Sequence, residues 1–153
     1  MYTPVVQFST VRLFLAWSLM MKWEICCTDF SNTFVQATLK EPTYIHLPQG
    51  FSSTLKQKSC LHLKKSIYGL SVAPQLWFQH LLKALKLDGL TQSKHDPCML
   101  LRHNLIIICY VDDLGIQPPS KTIINDLISS IESKGFELTR EGTFSEYLGI
   151  KYD

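Results

Sequence analysis

The tightest constraint on this chain is an unbroken apolar run, Leu105-Ile106-Ile107-Ile108-Cys109. It passes through Tyr110 and Val111 into two adjacent aspartates, Asp112 and Asp113, and resumes at Leu114-Gly115-Ile116. Rich in β-branched residues and too short for a free-standing helix, the run predicts a central strand covered on both faces. The acids interrupt it where a tight hairpin turn is the natural geometry, since aspartate tolerates turn conformations. Two carboxylates about 5 Å apart repel by roughly 3 kcal/mol at an effective dielectric near 20. A divalent cation would offset that repulsion, and hard oxygen ligands select magnesium or manganese over zinc. On these residues alone, a solvated turn is the simpler reading.

The surrounding pattern completes a fold. Ser9–Met21 reads as a buried helix, with Ser9 or Thr10 available as a cap. Trp23–Thr28 reads as a strand running into Asp29, and Tyr44–Leu47, between Pro42 and Pro48, as an edge strand or loop. Cys60–Leu63 is a further short strand. Ala73–Leu87 has the strongest helical period, carried by Leu76, Trp77, His80, Leu81, Ala84 and Leu87. Gly69 and Gly89 punctuate its ends, and Ser71 is placed to cap it. Cys98–Leu101 and Leu105–Val111 form a strand pair, Ile123–Ile131 a helix, and Phe136–Leu138 and Tyr147–Tyr152 the closing strands. This order predicts an α+β domain, an antiparallel sheet with helices packed on one face.

Length and composition agree. The 153 residues suit one domain, spanning 1–153. With 46% hydrophobic and 18% charged residues, the chain is globular rather than disordered. A formal net charge of +2 is low for a free-standing nucleic-acid binder. Five cysteines at irregular spacings predict free thiols and an intracellular setting. His95 and Cys98 have no second half of a zinc site. Leu13–Met21 is too short to cross a bilayer.

Two further features bear on chemistry. Asp29 stands at a strand end, well placed to meet a neighbouring hairpin tip, although aspartate is also a common helix cap. Lys64-Lys65-Ser66-Ile67-Tyr68-Gly69-Leu70 puts two lysines and a glycine turn ahead of the Ala73–Leu87 helix. The lysines could meet phosphates, and Gly69 would allow close approach. Trp77 reads as core.

Taken in order, these blocks resemble the reverse transcriptase domain of copia-type long-terminal-repeat retrotransposons. The matching segments are Tyr2–Val6 with Ser9–Arg12, Trp23-Glu24-Ile25 leading to Asp29 and Phe34, and Tyr44–Phe51. Then come Leu63–Leu70 with Ala73-Pro74 and Trp77, Ser93–Cys98, Tyr110–Asp113 and Tyr147–Ile150. The resemblance implies a right-hand polymerase palm with part of the fingers. It implies that Asp29, Asp112 and Asp113 hold two Mg2+ ions, or Mn2+, for nucleotidyl transfer to a primer 3′-hydroxyl. Phe34, as a gate against the 2′-hydroxyl, and Tyr110 would bind the nucleotide. Lys64, Lys65 and Gly69 would lie near nucleic acid. The implied partners are an RNA or DNA template with primer, deoxynucleoside triphosphates and the rest of a polyprotein (fingers, thumb, ribonuclease H), with no membrane. The implied setting is a cytoplasmic particle or the nucleus.

The chain departs from the family pattern at Ser31, Ser71, Val72 and Gln75, where lysine, a basic residue, glutamine and a basic residue are usual. Fewer basic side chains weaken the expected phosphate grip. The alternative expectation is a catalytically silent, truncated retroelement remnant with weak nucleic-acid binding.

Overall fold

The computed structural model describes residues 3–50, 60–118, 120–143, 146–147 and 150–151, with side chains described as far as Thr139. In chain order the elements are α1 (Phe8–Met21), β1 (Cys26–Phe30), α2 (Thr33–Gln36), β2 (Thr38–His46), β3 (Cys60–Lys65), α3 (Ala73–Leu87), β4 (Thr91–Gln92) and β5 (Met99–Arg102). There follow β6 (Leu105–Tyr110), β7 (Asp113–Gln117), α4 (Lys121–Ser133), β8 (Leu138–Thr143), β9 (Glu146–Tyr147) and β10 (Ile150–Lys151). The expected α+β class holds, and α3 has the bounds its periodicity predicts.

Six strands form one antiparallel sheet in the order β4-β5-β6-β7-β1-β8. β1, early in the chain, is inserted between β7 and β8, and this insertion brings Asp29 beside the later hairpin. Its register sets Asp29 opposite Asp113 on one side and Thr139 on the other. β6 lies inside the sheet and alternates as a strand covered on both faces must. Leu105, Ile107 and Cys109 enter one core with Trp77, Leu81, Leu85, Leu127 and Ile131 of α3 and α4. Ile106 and Ile108 enter a second core with Val6, Val11 and Phe14.

That second core corrects the expectation that the helices pack on one face. α3 and α4 share a face, but α1 lies on the other. Gln117 on β7 donates its side-chain N–H to the Phe14 carbonyl at 2.7 Å. A Cβ placed on Gly115 would come within 3.4 Å of the Phe14 ring. An apolar run without clear amphipathic period cannot reveal which sheet face its helix will cover.

α1 is also not a buried helix. Thr10, Val11, Phe14 and Ser18 are buried, whereas Leu13, Trp17, Leu19, Met20 and Met21 remain exposed. It meets the sheet along a single stripe. Neither Ser9 nor Thr10 caps it. The N-cap residue is Gln7, with no side-chain cap. Instead the Gln7 backbone N–H donates to Asp96 Oδ2 at 2.9 Å, and Asp96 Oδ1 accepts from the Cys98 N–H at 2.9 Å. The buried carboxylate thus supplies negative charge at the helix N-terminus from a distant loop. Ser71 likewise does not cap α3, whose N-cap is Val72.

At the other end of α3, Asp88 accepts a hydrogen bond from Ser130 Oγ at 2.7 Å and pairs with Lys134, tying α3 to α4. β2 and β3 form a separate two-stranded ribbon. β2 is longer than expected and contains Pro42, at an irregularity of register between Thr38 and Thr43. Proline is tolerated at such an interruption because no ladder hydrogen bond is required of it. The closing strand β8 begins at Leu138, while Phe136 is a core residue. Tyr147–Tyr152 holds part of a small β9–β10 pair. Ser52-Ser53-Thr54, whose small polar residues read as a turn in the sequence, lies outside the described residues.

Candidate metal centre

The β6–β7 hairpin closes in two residues. Tyr110 and Asp113 are paired across the strands, leaving Val111 and Asp112 as the turn. Val111 has φ 54°, the left-handed region that a β-branched residue rarely adopts. Of the two turn residues it alone has positive φ, which is the pattern of a type II′ turn, the form matching strand twist. The strained valine must be held by its surroundings.

Two hydrogen bonds hold it. The Trp77 indole N–H donates to the Val111 carbonyl at 2.7 Å. The Phe30 backbone N–H donates to the Asp112 carbonyl at 3.1 Å, fastening the end of β1 to the turn. Phe30 itself packs edge-on against Trp77, with ring centroids 4.9 Å apart. Helix, hairpin and strand thus meet at one point.

The consequence is convergence. Asp29, Asp112 and Asp113 each bring a carboxylate oxygen to within 4.8 Å of the others, and all three are half-buried. Among the described residues this is the one group of three or more acid, histidine or cysteine side chains close enough to share an ion. Three hard anionic oxygens in a partly desolvated spot repel one another, and that donor set fits Mg2+ or Mn2+. Cys98, the zinc ligand considered above, is buried, and burial first, then the Asp96 charge, pushes its thiol up to about 12. Burial likewise raises the Cys109 thiol.

The other expected site residues fall as follows. Phe34 lies in α2, directly after the Asp29 strand, with its ring 4.6 Å from that of Tyr68. Tyr110 is half-buried against the α1-side core. Lys64 and Lys65 close β3, and both are exposed. Gly69 has φ 94°, so its turn requires glycine for backbone reasons. Sequence reading overlooked Gln36. Its side-chain amide donates to the Glu137 carbonyl at 3.1 Å and accepts from the Glu137 N–H at 3.1 Å, anchoring the Phe34 segment to the approach to β8. It also overlooked the hydrogen bond of Trp77, although a buried indole N–H signals a partner to be found.

Fold and site together define a mixed α+β protein whose central antiparallel strands gather three carboxylates suited to divalent cations. All 153 residues match the family described as reverse transcriptase (RNA-dependent DNA polymerase), and the chain belongs to that family. Its relatives are copia-type retrotransposon Pol polyproteins. It is 28% identical to the retrovirus-related Pol polyprotein from transposon TNT 1-94 of Nicotiana tabacum, over 98% of this chain and 12% of that protein. It is 26% identical to the Pol polyprotein from transposon RE1 of Arabidopsis thaliana, over 98% of this chain and 10% of the relative. It is 27% identical to the transposon Ty1-H Gag-Pol polyprotein of Saccharomyces cerevisiae, over 99% of this chain and 9% of the relative. The chain therefore spans about a tenth of the length of these three relatives.

Proposed function

We propose that this chain is the palm, with part of the fingers, of a right-hand RNA-directed DNA polymerase, and that Asp29, Asp112 and Asp113 are its metal ligands. The observation that carries the reading is their convergence within 4.8 Å from two separate parts of the chain. A solvated Asp-Asp turn would have no need of a third acid from β1.

In this reading the primer 3′-hydroxyl attacks the α-phosphorus of a deoxynucleoside triphosphate, and pyrophosphate leaves. Asp29, Asp112 and Asp113 would hold divalent cations, which would supply charge stabilisation and lower the pKa of the attacking hydroxyl. The residues of the chain do the rest by positioning. The Trp77 and Phe30 hydrogen bonds fix the turn, so the carboxylates need not reorganise. Phe34, backed by Tyr68, occupies the space a 2′-hydroxyl needs, and Tyr110 flanks the nucleotide. Lys64 and Lys65 meet phosphates, while the Gly69 turn lets a backbone or base approach. The other partners are a primed RNA or DNA template and the remaining parts of a polyprotein.

Primer extension on a primed RNA template tests this, with Mg2+ or Mn2+ at low salt. The chain by itself should give little processive synthesis, because polymerisation also requires the duplex and triphosphate to be held in line. A fusion supplying the fingers and thumb segments of a relative should extend the primer, and Asp112→Asn in that fusion should abolish extension. Silence from a folded fusion would refute the reading.

A further inference from the structure

The outer face of α1 is left bare by the fold. Val11, Phe14 and Ser18 are buried, whereas Phe8, Leu13, Trp17, Leu19, Met20 and Met21 are between 40% (Trp17) and 80% (Leu19) exposed. At roughly 200 Å² for a fully exposed side chain of this size, the six present on the order of 700 Å² of apolar surface. That exceeds the largest patch usual on a monomer, about 300–600 Å². It approaches one partner's share of a standard interface, about 800 Å².

The order of residues along that face is self-complementary. Ser9, Leu13, Ala16 and Met20 are all exposed, and their steps of four, three and four place them on one line along the helix. Small and large side chains alternate along it. A second α1 can be laid antiparallel about a two-fold axis between positions 14 and 15. Leu13 then meets the partner's Ala16, and Met20 meets the partner's Ser9, so each large side chain faces a small one. A parallel pairing would set Leu13 on its own copy and leave a gap where Ala16 faces Ala16. Trp17 flanks the line on the side of Met21, and the two-fold axis brings both copies of Trp17 to that side. The single charge within the helix, Arg12, lies over the Phe8 ring at 4.6 Å, at the rim of the face rather than across it.

We propose that α1 is the two-fold interface of a homodimer, with its Ser9–Leu13–Ala16–Met20 line packed antiparallel on the same line of a second copy. Two observations choose this occupant. The bare apolar area is what one side of a stable dimer buries. The line also matches its own reverse, which an unrelated partner would not require. A helix lying on a lipid surface would carry several lysines or arginines along its polar edge, and α1 has Arg12 alone. The inference goes beyond the polymerase reading and does not depend on it.

The experiment is sedimentation velocity of the full chain between about 1 and about 100 µM, since interfaces of this area range from micromolar affinity to tighter. The wild type should pass from monomer to a closed dimer over that range. Trp17→Ala should weaken the dimer by about five-fold or more. Ala16→Glu keeps a good helix former at an exposed position and should abolish association without lowering Tm. Cysteine cross-linking tests the direction of pairing. Ser9→Cys and Met20→Cys, prepared separately and mixed under mild oxidation, should form a disulfide-linked pair beyond the wild-type background from exposed Cys60. Ser9→Cys alone should not, because its two copies would lie about 16 Å apart along the helices, too far for a disulfide. This arm leaves the core untouched, so it decides even if Ala16→Glu fails to fold. A wild type that stays monomeric to the top of the range overturns the proposal, including one that instead binds anionic vesicles. A dimer indifferent to both Ala16→Glu and Trp17→Ala also overturns it, as does cross-linking of Ser9→Cys to itself as readily as to Met20→Cys. So does a folded fusion with the fingers and thumb of a relative that stays monomeric where the chain alone dimerises, since another segment would then cover α1.

Discussion

The indole N–H of Trp77 sits 2.7 Å from the carbonyl oxygen of Val111, so the first turns of α3 hold the turn that carries Asp112. Trp77→Phe removes the donor and also part of a ring that is only 1% exposed. The cost should therefore combine one lost hydrogen bond, about 1 kcal/mol, with the cavity left in the core, for about 2–4 kcal/mol together. For a chain of this size each kcal/mol is roughly 2–4 °C of Tm. The same variant should respond less to Mn2+, because the turn bearing two of the three acids is less fixed. A Tm and a metal response both equal to wild type would show that the bond does not position the turn.

The acids themselves give a direct solution test. A ligand that binds only the folded state stabilises it by about 2.7 kcal/mol at a hundred times its Kd. Mg2+ or Mn2+ should therefore raise the Tm of the wild type. Asp112→Asn with Asp113→Asn should lose that rise, and so should Asp29→Asn alone, since each removes part of one donor set. A wild-type rise that persists in Asp29→Asn would take β1 out of the centre.

The parts of this arrangement differed in how far residues alone could reveal them. The β6 run and the α3 period are strong because each repeats with one unambiguous spacing. The hairpin at Asp112 follows from what breaks the run. Asp29 is different, since nothing local distinguishes it from a helix cap. Only the insertion of β1 between β7 and β8, or the resemblance of the ordered blocks, brings it to the site. α1 failed for the opposite reason: it has too many apolar residues to mark a buried stripe, so neither its face nor its exposure was readable. The Trp77 donor depends on register between distant strands and helices, which composition does not carry.

Phe34 tests the nucleotide side of the proposal. In an active polymerase containing this chain, Phe34→Ala should admit ribonucleotides more readily, lowering sugar discrimination by about ten-fold or more. Tyr68→Ala should lower it less, since Tyr68 only backs the Phe34 ring at 4.6 Å. Single-nucleotide incorporation with matched deoxy- and ribonucleotides measures both. Unchanged discrimination in Phe34→Ala would leave Phe34 as a packing residue.

His80 predicts an acid-sensitive term in stability. Its ring stacks on Phe136, with centroids 4.6 Å apart. Burial, then the Lys83 charge, then the Lys65 charge, lower its pKa from 6.5. The unfolded chain thus takes up a proton near pH 6.5 while the folded chain still resists. The His80 contribution is fully present above pH 6.5 and is lost as pH falls from there through the folded pKa. His80→Phe should flatten Tm between pH 7 and pH 5 relative to wild type. Identical pH slopes in the two proteins would remove His80 from the titration.

Gly115 offers a test of how closely α1 is fitted to the strand leaving the Asp112–Asp113 hairpin. Its backbone has no left-handed φ, so only space is at stake. A Cβ there would lie 2.9 Å from Ile108 Cγ1, 3.3 Å from its Cδ1 and 3.4 Å from Phe14 Cε1. Ile108 and Phe14 are both fully buried, and Cγ1 is not the free end of a side chain. Something in the β6–β7–α1 sandwich must therefore move. Gly115→Ala should cost about 1–3 kcal/mol, the usual range for overpacking a filled core. Ile108→Val alone should cost about 0.5–1.5 kcal/mol. If the clash with Ile108 is the cause, the double variant should be more stable than the sum of the two losses, because removing the δ-methyl frees room for Ile108 to yield. Thermal or urea unfolding of the four proteins completes the cycle. Strict additivity would mean that the strain falls on Phe14 instead, and Phe14→Leu would then be the variant that relieves it.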